Sequence, residues 1–291
     1  MSTPDFAPSA ELYPFTSHWL DTSHGRVHYV DEGAGQPLLL LHGNPAWSFL
    51  YRDVIRRLSD RFRCIAIDYL GFGLSERPVE FGYTPAEHAS VVGEVIQRLD
   101  LRDLIVMGQD WGGPTGLSAA SDNSDRVAGL VLGNTSFWSP SRSQQIFSRV
   151  MSTKYMQRQI LQKNFLIERF LFANVVRSLS DAEKVHYRRV QPTASMRVAV
   201  ATAPRQIVQA QPWLSDLEGR VRHNLADKQV LVTYPMADRS FPAKVSLPKF
   251  RATFNDIVVI ELPGTKHFFL EDASAKVADA IASRFTETSQ P

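Results

Sequence analysis

The stretch GQDWGG, residues 108–113, follows the apolar run DLIVM and carries the strongest fold signal in the chain. A strand, a sharp turn and a helix are predicted here, since the helix-compatible GGPTGLSAAS comes directly behind the turn. The pattern is that of a nucleophile elbow, G-x-S-x-G, with Asp110 in place of the serine. A helix N-terminus behind the turn favours an ionised carboxylate at its tip. Taken by itself, an aspartate that merely caps the helix is the simpler interpretation.

Apolar runs that alternate with helical patterns predict an α/β fold, with a mostly parallel twisted sheet flanked by helices. The expected strands are RVHYV (26–30), PLLLL (37–41), CIAID (64–68), LIVMG (104–108), LVLGN (130–134), VLVTY (230–234) and IVVIEL (257–262). Apolar residues recur at helical spacing in segments 47–58, 85–99 and 271–285. The alternation stops after Trp138, and a helical pattern runs to Trp213. We therefore predict an α/β core, residues 1–137 and 214–291, with an inserted helical cap, or lid, at residues 138–213.

The composition is that of an ordinary globular protein with enough chain for a large core: 291 residues, 44% hydrophobic and 21% charged. A net charge of +2 gives no argument for nucleic acid as a partner. The single cysteine, Cys64, lies in an apolar run and is expected to be a buried thiol. No signal peptide is recognised and no stretch is long enough for a membrane span, so a cytoplasmic protein is expected.

Three further segments supply the remaining candidates for catalysis. HGNPAW (42–47) follows PLLLL, in the loop that gives one oxyanion-hole N–H in hydrolases of this architecture. GTKHFF (264–269) places His267 between the last strand and the last helix, which fits the order nucleophile, acid, histidine. Asp238 follows VLVTY and is suited to orient the imidazole. The alternative position for the acid follows LVLGN, but Asn134 there cannot carry a charge.

With HGNPAW, GQDWGG, MAD and GTKHFF in this order, the chain resembles the haloalkane dehalogenases of the α/β-hydrolase superfamily. The resemblance extends from about residue 14 to the last helix, and is greatest for the branch with its acid after the strand that follows the cap. It implies an α/β-hydrolase fold in which Asp110 attacks the halogen-bearing carbon. Asn44 and Trp111 would bind the halide, and their backbone N–H groups would form the oxyanion hole. The segment YPMAD departs from the family pattern, since it lacks a glycine before Asp238.

The chemistry of alkyl halides agrees with a carboxylate at the elbow. Displacement at saturated carbon needs an anionic nucleophile, and a carboxylate is ionised at neutral pH without a base. The departing halide needs donors, which the indole of Trp111 and the amide of Asn44 can provide without net charge. His267, oriented by Asp238, can then activate water to cleave the ester. The expected partners are a small halogenated aliphatic substrate, water and a halide ion, and no metal or organic cofactor is required.

Three other functions share parts of this pattern. An epoxide hydrolase also has an elbow aspartate and usually two cap tyrosines, for which Tyr155 and Tyr187 are available. Such enzymes typically carry an apolar or aromatic residue at the position of Asn44. Fluoroacetate-type dehalogenases typically have arginine where Trp111 stands. A hydrolase-like binding protein without turnover is disfavoured by the intact set of site residues.

The predicted cap is strongly basic. Residues 138–213 contain twelve Arg or Lys and three Asp or Glu, a formal charge of +9, so the rest of the chain carries 2 − 9 = −7. A solvated outer face is the simplest interpretation, with a homo-oligomer contact through the cap as an extension of it. A membrane-surface role is a minor alternative. Apolar residues of the cap, such as Phe165, Leu166, Phe170, Leu171 and Phe172, are expected to pack on the core or line the pocket.

Overall fold

Eight strands form one sheet in the computed structural model, which describes residues 4–286. They are β1 (Ser17–Thr22), β2 (Gly25–Glu32), β3 (Gln36–Leu41), β4 (Phe62–Ile67), β5 (Leu104–Gly108), β6 (Val127–Leu132), β7 (Gln229–Pro235) and β8 (Asp256–Leu262). Their order in the sheet is β1-β2-β4-β3-β5-β6-β7-β8. β2 is antiparallel to both of its neighbours, and all other pairs are parallel. The predicted α/β class and mostly parallel sheet are therefore confirmed.

Strand β1 was not predicted from the sequence. Its sequence, SHWLDT, contains two apolar residues, Trp19 and Leu20, and Trp19 is 42% exposed. β1 lies at the edge of the sheet and pairs with β2 alone. An edge strand with one partner needs no buried apolar run, so hydrophobicity gives little sign of it.

Ten α-helices surround the sheet in residues 4–286, and none of them is both long and apolar enough to cross a membrane. They are α1 (Arg52–Leu58), α2 (Pro85–Arg98), α3 (Gly112–Asp122), α4 (Arg142–Met151), α5 (Lys154–Lys163), α6 (Asp181–Arg189), α7 (Val198–Gln209), α8 (Gln211–Asn224), α9 (Ala243–Thr253) and α10 (Phe269–Thr286).

The helices cover both faces of the sheet because successive strand residues point to opposite sides. In β3, Leu39 and Leu41 belong to the apolar cluster that includes α2, α3 and α8. Leu38 and Leu40 belong to the cluster that includes α1 and α10. Cys64 of β4 is buried in the second cluster and forms no disulfide. Burial on both faces explains why the central strands are continuous apolar runs in the sequence.

Between β6 and β7 the described chain contains no strand. α4 to α7 and a π-helical turn at Leu166–Leu171 occupy this segment. α8 begins within residues 138–213 and continues to Asn224, packing on α3 with Leu217 and Val221 buried. The inserted helices thus lie over the carboxyl ends of the parallel strands, where the site residues are found.

A buried ionic cluster joins the inserted helices to the rest of the molecule. Arg52 of α1 donates to both carboxylate oxygens of Glu271 in α10, each at 2.7 Å, and to Glu183 of α6 at 2.7 Å. Arg177, which precedes α6, also donates to Glu183 and Glu271, and the hydroxyl of Tyr187 donates to Glu271. Two arginines and two glutamates balance in charge. We name this set the ionic cluster.

Candidate active site

Asp110 lies at the tip of a strained turn between β5 and α3. Its φ of +51° is in the left-handed region, which residues with a side chain rarely adopt. The turn is held by the N–H of Asp110, which donates to the carbonyl of Asn134 at 3.0 Å, and by the Thr135 hydroxyl, which donates to the carbonyl of Asp110 at 2.6 Å. A Cβ at Gly112 would lie 1.9 Å from the carbonyl oxygen of Leu41. The glycine therefore permits the close approach of α3 to the end of β3.

The loop after β3 places a backbone donor on the Asp110 carboxylate. The N–H of Asn44 donates to Oδ1 of Asp110 at 2.9 Å. A Cβ at Gly43 would lie 2.4 Å from the Cβ of Asp110, so the approach requires glycine. His42 fixes the loop: its Nδ1 lies 2.9 Å from the carbonyl of Gly43, and its Nε2 accepts from the N–H of Tyr69 at 3.2 Å. Burial lowers the pKa of His42, which is consistent with a neutral ring that accepts this bond.

His267 lies between two carboxylates. Its Nδ1 donates to Oδ2 of Asp238 at 2.9 Å, and its Nε2 lies 3.5 Å from Oδ2 of Asp110. Asp238 is held further by the N–H of Ser240, which donates to Oδ1 at 2.7 Å. The loop is anchored without a glycine before Asp238, since the N–H of Ala237 donates to the carbonyl of Thr265 at 3.0 Å. The structure thus brings together Asp110, His267 and Asp238, the residues predicted as nucleophile, base and orienting acid.

Asn134 is a site residue that the sequence reasoning missed. It is fully buried after β6, and its Nδ2 donates to Oδ2 of Asp238 at 2.5 Å and to the carbonyl of His267 at 2.9 Å. Asparagine has no charge, so this residue cannot be the orienting acid. A residue at the end of β6 is close to the end of β7, where Asp238 follows, so a neutral donor at this position can bind that acid. The position of Asn134 after a predicted strand was the signal available in the sequence.

The electrostatics of the site favour a protonated His267 at neutral pH. Burial by itself would lower the pKa of His267, but Asp238 and Asp110 outweigh burial and raise it to about 10. Burial would raise the pKa of Asp238, but the charge and hydrogen bonds from His267 and Asn134 hold it below its usual range. Both effects favour an imidazolium held between the two carboxylates.

A cavity of about 450 Å³ lies above Asp110, between the inserted helices and the sheet. Its lining residues come from both parts of the molecule: Asn44, Asp110, Trp111, Ser143, Gln144, Phe147, Leu166, Phe170, Asn174, Pro204, Ile207, Arg239, Ser240, Phe241 and His267. The predicted halide-binding pair, Asn44 and Trp111, thus borders the same space as the predicted nucleophile. Phe241 is nearly parallel to the ring of His267 and Phe170 meets it edge-on, so aromatic side chains limit the imidazole's motion. Leu166 and Phe170 line the cavity, as proposed for apolar cap residues.

The two tyrosines that would suit an epoxide hydrolase lie elsewhere. Tyr155 is 69% exposed at the surface, and the hydroxyl of Tyr187 is bound to Glu271 in the ionic cluster. Within residues 4–286, no tyrosine lines the cavity. The site therefore lacks phenol groups that could protonate an epoxide oxygen, and this argues against that alternative.

The site has a carboxylate at the turn after a parallel strand, a histidine next to it and a second carboxylate on the far side of the histidine. This arrangement is typical of a hydrolase with an aspartate nucleophile. Comparison with known proteins agrees with this class, since the alpha/beta hydrolase fold family matches residues 36–274. Haloalkane dehalogenase 2 of Mycobacterium tuberculosis is 51% identical over 282 residues, which cover 97% of this chain and 99% of that protein. The chain belongs to the haloalkane dehalogenase family.

Two more distant similarities show how widely this architecture is used. A cis-3-alkyl-4-alkyloxetan-2-one decarboxylase of Shewanella oneidensis is 28% identical, covering 95% of this chain and 90% of that protein. The solved structure of the haloalkane dehalogenase DatA from Agrobacterium tumefaciens C58 matches with a TM-score of 0.84 at 24% identity, covering 96% of this chain and 99% of that one. At that identity the structural likeness supports the fold.

Proposed function

We propose that this chain hydrolyses haloalkanes to an alcohol and a halide ion through a covalent ester on Asp110. The observation that carries the proposal is the aspartate at the elbow, with His267 Nε2 3.5 Å from its carboxylate and Asn44 and Trp111 beside it. A serine at this position would serve acyl transfer, whereas a carboxylate serves displacement at saturated carbon. Membership of the haloalkane dehalogenase family, with 51% identity over nearly the whole chain, supports the same substrate class.

In the first step, Oδ2 of Asp110 attacks the carbon that bears the halogen. A C–O bond forms, the C–halogen bond breaks, and the halide leaves with the bonding electrons. Asn44 and Trp111 stabilise the departing halide with neutral N–H donors, which cost less to bury than charged ones. The N–H of Asn44 donates to Oδ1 of Asp110 at 2.9 Å. Oδ2, which lies 3.5 Å from Nε2 of His267, is the oxygen left for the attack.

In the second step, His267 accepts a proton from water, and the water oxygen attacks the carbonyl carbon of the ester. Ester formation has removed the negative charge of Asp110, which was one of the two charges that raised the pKa of His267. The pKa of His267 therefore falls once the ester has formed, so the imidazolium releases its proton to solvent and the neutral ring can then accept a proton from water. Backbone N–H groups of Asn44 and Trp111 stabilise the developing oxyanion. The acyl C–O bond of the ester then breaks, and the imidazolium gives its proton to the departing alkoxide to form the alcohol. The carboxylic acid left on Asp110 passes its proton to His267, which restores the resting site. Asp238 keeps His267 in the required tautomer and balances the imidazolium charge.

Residues 138–213 act as a cap that encloses the substrate over Asp110. The support is that cap residues, including Phe147, Leu166 and Phe170, line the cavity together with the sheet residues. The basic outer surface of the cap contacts a second subunit in a homo-oligomer. This is supported by the formal +9 of the cap against −7 for the remainder of the chain.

The direct test is release of bromide from 1-bromohexane. The wild-type protein should release bromide with many turnovers, and Asp110→Ala should release none while its circular dichroism stays native. Asp125→Ala, an exposed aspartate beside β6, is the matched control and should keep the wild-type rate. Hydrolysis of 1,2-epoxyhexane in place of bromohexane would favour an epoxide hydrolase. Bromohexane binding without any bromide release would favour a non-catalytic binding protein.

A further inference from the structure

Arg239 gives the cavity a permanent positive charge that the proposed reaction does not use. It follows Asp238 directly and lines the cavity with an exposed side chain. Within residues 4–286 no Asp or Glu lies within ion-pair distance of its guanidinium. By contrast, Arg52 and Arg177 each form an ion pair with the buried carboxylate of Glu271 in the ionic cluster. An arginine without a counter-ion in a substrate cavity has its donors available for a ligand.

Hydrogen bonds hold the residues on both sides of Arg239, so the backbone that carries its side chain has little freedom to move. On one side, Asp238 is bound by His267 and Asn134. On the other side, the N–H of Ser240 donates to Asp238 at 2.7 Å, and the carbonyl of Ser240 accepts from Nε2 of Gln144 at 3.3 Å. Gln144 and Ser240 also line the cavity. Together with Arg239 they form a polar corner of the cavity, whose lining also includes the apolar side chains of Phe147, Phe170 and Phe241.

We propose that Arg239 is a substrate-binding subsite, which selects haloalkanes that carry a carboxylate at the end opposite the halogen. The inference rests on the proposed dehalogenase function and names its substrate class. A guanidinium binds a carboxylate through two parallel N–H···O bonds, a geometry that neutral polar groups cannot match. The cavity of about 450 Å³ has room for an alkyl chain between the two ends of such a substrate.

The charges in the site make an anionic substrate acceptable. Asp110 and Asp238 are negative, His267 is an imidazolium between them, and Arg239 adds a second positive charge. The four groups sum to zero, so a distant carboxylate meets no net repulsion on entering. Without Arg239 the same groups would sum to −1 and would oppose an anion.

The test compares three bromoalkanes of equal length: 6-bromohexanoate, its neutral amide and 6-bromohexylammonium. For the wild-type protein, kcat/KM for the acid should exceed that for the amide by about tenfold, mainly through a lower KM. Arg239→Gln should abolish this ratio, Arg239→Lys should retain part of it, and Arg239→Glu should shift the preference to the ammonium compound. Arg142→Gln removes a nearby cap cation that does not line the cavity, and it should keep the wild-type ratio.

Two results would overturn the proposal: a wild-type ratio of about one, or the same loss in Arg142→Gln as in Arg239→Gln. Failure of the dehalogenase function is distinguished because it would abolish bromide release from all three compounds. Arg239 is then judged by calorimetric binding of hexanoate, which has no halogen. Hexanoate should bind the wild-type protein more tightly than hexanamide does and lose this advantage in Arg239→Gln, and equal binding of the two would reject the subsite.

Discussion

Asp238 is the residue whose charge matters most in the second step of the proposed mechanism. Its carboxylate accepts three hydrogen bonds, from His267, Asn134 and the N–H of Ser240. Each of these donors is buried or held by the loop, so the carboxylate has little freedom to move. An amide at this position would keep the volume and lose both the charge and one acceptor.

Asp238→Asn should therefore slow ester hydrolysis by about a thousandfold or more, while leaving the displacement step nearly intact. The neutral side chain no longer stabilises the imidazolium and favours the wrong tautomer of His267. In rapid-mixing measurements with 1-bromohexane, the variant should release about one bromide per subunit in a fast burst and then turn over slowly.

Asp227→Asn is the control, because Asp227 also lies near β7 but is bound to Asn255 at the surface. It should behave like the wild-type protein. If Asp227→Asn gave the burst and Asp238→Asn did not, Asp238 would not be the acid of this site.

For single residues, the order along the sequence predicted the site well, whereas side-chain contacts could not be predicted. Asp110, His267 and Asp238 were selected because each follows a predicted strand in the right order, and the structure brings them within hydrogen-bonding or ion-pair distance. The contact of Asn134 with Asp238 joins residues 104 positions apart, and its direction depends on how two loops pack. The position of Arg239 in the cavity depends on the same loop. Arg239 leaves no pattern in the linear sequence, and the only sign of Asn134 is its position after a predicted strand.

The ionic cluster is a buried polar link between residues 138–213 and the rest of the chain. Arg52 and Glu271 are almost fully buried, and Glu183 and Arg177 come from the cap side. A buried charge without a partner is costly, whereas a complete set of pairs is tolerated. The cluster lies at the start of α10, four residues after His267, so it also fixes the helix that follows the catalytic loop.

Glu271→Gln should destabilise the protein by about 3 kcal/mol, because it removes the one fully buried carboxylate that both arginines of the ionic cluster contact. Urea unfolding measured by tryptophan fluorescence gives the free energy of unfolding. Glu218→Gln breaks the exposed pair with Arg222 on α8 and should cost less than about 1 kcal/mol. Equal losses in the two variants would mean that the buried cluster contributes no more than a surface pair.

The central strands were predicted because burial on both faces makes them continuous apolar runs. The helices were predicted where one apolar stripe recurs, as in α2 and α10. β1 was not predicted because it is a half-exposed edge strand. The helices of residues 138–213 were predicted as a group but without individual boundaries. Those boundaries depend on single N-cap residues, such as Ser141 before α4 and Ser180 before α6, which give only a weak signal in the sequence.

The whole molecule has an uneven charge distribution. On α4, α5 and α7 of the cap, Arg142, Arg149, Lys154, Arg158 and Arg205 are exposed, and within residues 4–286 none of them forms an ion pair. On α4 and α5 the apolar side chains of Ile146, Val150 and Tyr155 are also exposed. A surface that combines unpaired cations with apolar side chains suits a contact with an acidic, partly apolar surface of another subunit.

If the cap forms a subunit contact, sedimentation should show an oligomer at low salt that dissociates as salt is raised, because exposed charges are screened. Arg158→Glu should shift the equilibrium towards monomer, and Arg61→Glu, an exposed arginine of the core before β4, should not. A monomer at every salt concentration would show that the basic face of the cap is simply solvated.

The covalent ester at Asp110 is the central step of the proposed mechanism, and His267→Phe tests it most directly. The carboxylate needs no base to attack, whereas water needs one to cleave the ester, so removing His267 should stop the reaction halfway. With 1-bromohexane the variant should release about one bromide per subunit, and intact-protein mass spectrometry should show one added hexyl group on the peptide that contains Asp110. His223→Phe, which alters an exposed histidine of α8, should turn over without accumulating an adduct. Bromide release from His267→Phe without any adduct would contradict the covalent mechanism and indicate direct attack by water.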